Sequence, residues 1–290
     1  MGCESNVKNP STSCNNPQGL LKKLIFAKES VSFPDHASAL PKAAWDALVQ
    51  SKDIIPMEEA MLVENQKTDT GYEETSLGTA FTNEGKDIFK YNITSNLDLH
   101  SKIRSLNNSG YTKMFEVYSS GVIVGTKTAD ADTIYPLSIA LMRVESWIQP
   151  EEGVTGKTPI RVQLEDMREK NDNPVLVVPT WNVFRLNPLT NVQLQVVSAS
   201  ATSVVVNAYV PHANLAFKNP VEGLVAADFL LTTAAGVVET IGGVTEDANV
   251  PGKYTITGTG LVTGFVNLKL PSLMTTKGFE SVGQVAKTVA

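Results

Sequence analysis

Over residues 158–165 polar and apolar positions alternate cleanly, with Ile160, Val162 and Leu164 on one side and Arg161, Gln163 and Glu165 on the other. Successive side chains of a β-strand point to opposite faces, so this segment predicts a strand with one buried face. Residues 88–94 alternate more loosely. Residues 113–125 carry two apolar runs around Ser119-Ser120-Gly121, which predicts a hairpin turning there. Residues 135–149 predict one long strand, and the loop 151–157 joins it to the alternating strand as a further hairpin. Two segments follow the helical period instead. In 38–51, Leu40, Ala44 and Leu48 share a face behind a cap-like Ser38. In 96–106, Leu99, Ile103 and Leu106 recur at i, i+4 and i+7, and Asn107-Asn108-Ser109-Gly110 ends the run. The first part of the chain is therefore expected to be mainly β, with one or two flanking helices.

After Asn187-Pro188-Leu189 the pattern becomes a series of short strands, over 192–197, 203–210, 226–232, 253–257 and 264–270, separated by Gly, Pro, Asn and Asp turns. Such spacing is that of a β-sandwich. Composition changes at the same place. Every Arg and every Trp precedes residue 191, half of the 20 Gly follow it, and residues 191–217 contain no Asp, Glu, Lys or Arg. A shift of this kind predicts a domain boundary. The expected organisation is an N-terminal arm over 1–20, a β domain over 21–187 and a second β-sandwich over 188–290. The Cys…Trp…Cys hallmark of antibody domains is missing, so the expectation for the second domain is an Ig-like architecture only.

At 290 residues the chain is long enough for two ordinary domains, and 42% hydrophobic with 19% charged residues is the balance of a folded protein. No apolar run reaches the roughly 18–20 residues needed to span a bilayer, so no membrane insertion is expected. Residues 1–17 are polar and lack an apolar core, so no secretory signal is expected. The start Met1-Gly2-Cys3-Glu4-Ser5-Asn6 has Asn where a myristoylation signal needs Ser or Thr. The net charge is −6, and no Lys/Arg cluster is interleaved with aromatic residues, which argues against a nucleic-acid-binding surface.

Reactive residue types show no spacing that builds a site. The three histidines, His36, His100 and His212, form no H-x-x-x-H pair, and Cys3 and Cys14, both in the polar leader, form no CxxC. Asp130-Ala131-Asp132 and Asp172-Asn173 lack the remainder of a calcium loop and read as turn chemistry. Gly153-Val154-Thr155-Gly156-Lys157-Thr158 ends like a phosphate loop, but Glu151 stands where the first Gly is needed and a β-patterned segment follows; Gly78 to Lys86 fails similarly. The pairs Glu58-Glu59, Glu73-Glu74, Glu151-Glu152 and Glu165-Asp166 are expected at the surface. The sequons at Asn92 and Asn107 carry little weight without secretion. No catalytic, cofactor-binding or metal-binding residue is assigned, and the expectation is a protein that is not an enzyme. A glycan hydrolase with an accessory Ig-like domain would need two carboxylates facing each other across a cleft.

Two stretches resemble known families. The run Glu73 to Gly78, Asn83 to Asp87, Ile88 to Tyr91, the helix over 97–106, the hairpin Phe115 to Thr126 and the closing Pro159 to Asp166 resemble the core of tail tube proteins of tailed phages, particularly those of Bacteroidetes hosts. The likeness covers roughly residues 20–185. Val221-Glu222-Gly223-Leu224, Ala227-Asp228-Phe229, Gly236 and Pro251-Gly252-Lys253-Tyr254-Thr255-Ile256-Thr257 resemble Ig-like modules appended to phage tail and surface proteins. The first resemblance implies a tail-tube-like β-sandwich or barrel that self-associates into stacked, usually hexameric rings. The tube they form is part of the virion, is assembled in the host cytoplasm, contacts other tail proteins and passes DNA transiently and without sequence preference. It places the arm and the loops near 58–72 at ring contacts. An acidic wall suits such a conduit, because basic walls would hold the phosphate backbone. The second resemblance implies a module on the exterior with weak contact to cell-surface glycans. The alternatives are a head-decoration or tail accessory protein, or an adhesin that grips through the Ig-like domain.

Overall fold

The computed structural model describes residues 19–69, 71–75, 78–83, 85–128, 132–211, 218–269, 277–281 and 283–289. Residues 1–18 with Cys3 and Cys14, His212, and Asp130 and Ala131 lie outside the described residues. The protein is mainly β and divides into two compact units, Met1–Asn187 and Pro188–Ala290.

The first unit runs β1 (Leu21–Ala27), α1 (His36–Ala39), α2 (Lys42–Gln50), β2 (Ile54–Pro56), β3 (Ala60–Asn65), β4 (Gly71–Thr75), β5 (Gly78–Asn83), β6 (Ile88–Thr94), α3 (Leu97–Arg104), β7 (Lys113–Tyr118), β8 (Ile123–Lys127), β9 (Ile134–Tyr135), β10 (Leu137–Val144), β11 (Lys157–Leu164), α4 (Met167–Asn171) and β12 (Pro174–Val177). Ten strands form one sheet in the order β12-β8-β7-β10-β11-β6-β3, with β1 paired to both β7 and β2 and β9 paired to β8. The sheet curls because β7 divides its length between two partners: Lys113 and Met114 lie opposite β10, Glu116 and Val117 opposite β8. β2 pairs with β1 and β3 pairs with β6, so the chain between them reaches both ends of the curl, where the Met57 amide donates to the Leu24 carbonyl at 2.8 Å.

The inner face of this half-barrel carries the main core. Leu24 and Phe26 of β1, Phe89, Tyr91 and Ile93 of β6, and Ile160, Val162 and Leu164 of β11 are buried there, as the alternation over 158–165 anticipates. Ile103 and Leu106 from α3 and its C-terminal turn close one end. Met167 at the start of α4 enters the same core from the other end, just after β11. The outer face of β7 packs on α2: Trp45 lies edge-on to Phe115 at 5.0 Å and against Phe33 at 4.7 Å, and its indole N–H donates to the Ala39 carbonyl at 2.8 Å.

Two expectations change. The helix expected over 38–51 is two helices, interrupted at Leu40 and Pro41, the latter serving as N-cap of α2. The single strand expected over 135–149 is β9 and β10 separated by Pro136, which has no N–H to keep in a ladder. After Val144 the chain leaves the sheet, and Ile148 returns only as an isolated bridge to Lys157. The helix over 96–106 forms as α3, capped by the Asn96 side chain on the Leu99 amide.

The second unit contains β13 (Thr190–Ala199), β14 (Ser203–Pro211), β15 (Lys218–Pro220), β16 (Phe229–Thr233), β17 (Ile241–Glu246), β18 (Lys253–Gly258), β19 (Gly264–Leu268), β20 (Phe279–Ser281) and β21 (Val285–Lys287). One sheet is ordered β17-β18-β14-β13-β20, with β15 beside β14; the other is β16-β19-β21. Val204, Val206 and Tyr254 from the first meet Leu231, Val266 and Leu268 from the second in one core. The strand expected over 226–232 begins instead with a 3-10 turn, Ala226–Asp228, ahead of β16.

Candidate functional site: a projecting ribbon and three buried polar networks

β3 and β6 do not end together at the sheet. Their ladder reaches Asn65 opposite Phe89 and then continues: the Gln66 amide donates to the Ile88 carbonyl at 2.7 Å and the Thr68 amide to the Lys86 carbonyl at 3.0 Å. The Lys86 amide donates in turn to the Thr68 hydroxyl at 2.7 Å. Gly85 lies so close to this crossing that a Cβ there would sit 1.9 Å from the Thr68 carbonyl oxygen. Beyond it β4 and β5 pair from Gly71 opposite Asn83 to Thr75 opposite Gly78. Among the described residues no other strand pairs with β4 or β5, which form a two-stranded sheet of their own. Tyr72 is 66% exposed on this ribbon, Glu73 and Glu74 are exposed beside it, and Met61 and Leu62 are exposed towards the end of β3 away from it. Sequence reasoning missed the ribbon because 58–75 shows no regular alternation; the apolar Met61, Leu62 and Tyr72 among charges were the available signal.

The residues singled out by their chemistry do not converge. His36 lies at an exposed site with Nε2 3.3 Å from the Leu176 carbonyl oxygen. The Gly153 loop is an exposed reversal in which Glu151 and Val154 exchange backbone hydrogen bonds and Gly153 adopts φ +77°, a conformation that disfavours other residues. A strand, β11, and not a helix follows it. Asp172 is the exposed C-cap of α4. Glu58, Glu59, Glu73, Glu74, Glu151, Glu152 and Glu165 are exposed, and Asp166 caps α4 through the Arg168 amide. Asn92 is buried, bonding the Leu62 carbonyl and the Glu64 carboxylate, and Asn107 bonds both backbone groups of Val144. Among the described residues no group of three His, Cys, Asp or Glu could hold a metal ion. None of the helices among them is long and apolar enough to cross a membrane.

Three buried networks gave no signal in the sequence. At the α3 end of the half-barrel, His100 Nδ1 lies 3.0 Å from the Thr158 hydroxyl, which lies 2.6 Å from the Ser95 hydroxyl; all three residues are buried. At the α4 end the Lys170 ammonium reaches the Glu116 carboxylate at 2.9 Å and the Asp87 carboxylate at 3.0 Å, and the Tyr118 hydroxyl donates to Glu116 at 2.8 Å. Glu116 is completely buried although it stands in a strand that reads as half-exposed. Burial pulls Lys170 towards neutrality, but Glu116, then Tyr118 and Asp87, outweigh this and hold its ammonium above the ordinary lysine range. Burial, and then the Glu116 charge, push the Tyr118 phenol up. A mouth of about 280 Å³ opens here between Val63, Phe89, Lys67, Asn65, Met167 and the charged groups. In the third network Lys23, 2% exposed, donates to the carbonyls of Phe184 and Leu186 at 3.1 and 2.7 Å, and its burial lowers its pKa.

In the second unit the motif residues form one cluster. The buried Tyr254 hydroxyl donates to the Val221 carbonyl at 2.7 Å and accepts from the Leu224 amide at 3.3 Å. The Asp228 carboxylate accepts from the Val225 amide at 2.8 Å and from Lys277 at 2.6 Å, while Phe229 stacks at a tilt on Tyr254 at 5.6 Å. These contacts fix loops.

Compared with known proteins, the chain matches no family model. A search of curated proteins found no match either.

Proposed function

We propose that this protein is a virion structural subunit that assembles with copies of itself into the stacked rings of a phage tail tube. The observation that carries the reading is the projecting β4–β5 ribbon. A two-stranded ribbon is marginal in water unless it packs on something, and an open sheet edge such as β3 invites pairing. A neighbouring copy supplies both needs at once. The curled sheet, the terminal places of β3 and β12 in its strand order, and the resemblance of residues 20–185 to tail tube proteins support the same reading. The net charge of −6 suits a conduit for DNA, which a basic lining would retain.

Negative-stain microscopy and light scattering of the full chain at rising concentration test this. Rings or tubes are the expected outcome; a folded monomer at high concentration overturns the proposal. A second reading, a virion accessory protein or adhesin, is favoured by Val237, Val238 and Val262, which are 62%, 66% and 48% exposed in the second unit. It predicts that the full chain binds host cells or capsids without forming rings.

A further inference from the structure

We propose that Lys170 and Asp87 become joined by an amide bond between their side chains, formed spontaneously in the folded chain with Glu116 as the proton carrier. The observation behind this is the composition of the network at the α4 end. An amine and a carboxyl group face each other at 3.0 Å, and a second carboxylate, on a residue with no solvent exposure, contacts the same amine at 2.9 Å. A simple ion pair needs one carboxylate; two acids on one base leave a spare group that can take a proton from nitrogen and return it to oxygen.

The chemistry is a condensation and needs no oxidant or cofactor. Glu116 takes a proton from Lys170 and passes it to Asp87, which leaves a neutral amine facing a neutral acid. The Nζ lone pair attacks the Asp87 carboxyl carbon, forming the C–N bond. Glu116 takes the second proton from nitrogen and hands it to the departing oxygen, the C–O bond breaks, and one water leaves. The ordinary obstacle is that an amine and an acid in water rest as ammonium and carboxylate. Burial of this site works against the charged pair, while the charges of Glu116 and Asp87 hold the ammonium, so the reacting neutral pair is a transient state. Fixed contact within about 3–3.5 Å supplies the effective concentration that makes such encounters productive. The surroundings are partly apolar: Glu116 lies on β7 between Leu24 and Val124 of the flanking strands, and Phe89 and Met167 line the mouth. The titratable groups facing the amine are Asp87, Glu116 and Tyr118, with Lys67 farther out on the lining.

The bond would tie the base of the ribbon, where β6 begins, to the helix that follows β11. It does not rest on the tail reading, since a monomer could carry it equally. Intact-mass spectrometry of the denatured full chain is the test. The expected mass is lower than that of the sequence by one water, with a protease-resistant branched peptide joining the segments around Asp87 and Lys170. Lys170→Arg, which keeps the charge but is a poor nucleophile, is expected at its full mass, as is Glu116→Gln. A folded wild-type chain at its full mass, or a loss of water without the branched peptide, overturns the proposal. Cross-linking in Glu116→Gln at the wild-type rate overturns the role of Glu116. If that variant fails to fold, Glu116→Asp, with the carboxylate retracted by one methylene, is expected to cross-link more slowly, and an unchanged rate has the same meaning.

Discussion

His100 shows how a residue chosen for its chemistry can serve stability instead. Burial, and to a smaller degree the neighbouring Arg104 guanidinium, hold its imidazole below the ordinary value of 6.5. On acidification the unfolded chain therefore binds a proton before the folded chain does. Stability is complete above about pH 6.5 and is lost as the pH falls towards the folded-state pKa. The melting temperature is expected to fall across that window, and His100→Asn to flatten the slope; an identical slope in the variant would remove His100 from the account. Lys287 presents a second case. Its ammonium has no exposure, lies 2.7 Å from the Glu239 carboxylate and also donates to the Val262 carbonyl. The other oxygen of Glu239 accepts from the Val262 amide at 2.9 Å. Removing either partner strands a buried charge and is expected to cost about 3–5 kcal/mol in urea unfolding, whereas Glu239→Leu with Lys287→Met recovers most of the loss.

Elements were legible where a single physical rule governed them. The alternation of β11 gave both its limits and its buried face, and the turn residues at 119–121 located the β7–β8 hairpin. α3 was legible from its period and its Asn cap, and Ile103→Ala, which empties part of the core against the sheet, is expected to cost about 2–5 kcal/mol. Where two rules competed, the pattern misled. β7 is buried on both faces, so Glu116 has the sequence position of a solvent-facing residue and the environment of a core one. β10 carries a register shift between Ile139 and Leu141, which blurs its alternation, and Pro136 cuts the apolar run ahead of it. The ribbon was illegible because residues 58–75 show no regular alternation; among the described residues its strands pair only with each other. Removing residues 71–83 is therefore expected to leave the melting temperature of the first unit nearly unchanged while abolishing assembly, which sedimentation at matched concentration would measure. Assembly that survives the deletion would exclude the ribbon as the contact.

For the whole molecule, composition was a better guide than pattern. The absence of charge over 191–217 and the confinement of Trp to the first part pointed to a second module, and the two units have separate cores. What composition could not supply was the set of long-range meetings, such as Lys170 with Glu116 or Lys23 with Leu186, which depend on how strands are ordered in the sheet. Because Trp45, Trp147 and Trp181 all belong to the first unit, tryptophan fluorescence should follow its unfolding alone, while far-UV circular dichroism follows both. Non-coincident midpoints are expected; coincident ones would show that the units unfold as one. The ribbon has a mechanical consequence as well. It prolongs the β3–β6 ladder, so tension drawn along its length pulls β3 and β6 together and acts in shear on the rungs that tie β6 to β11 between Lys157 and Gln163. Those bonds share the strain together instead of opening one after another like a zipper, and a subunit joined through this ribbon would yield abruptly at high force rather than creep.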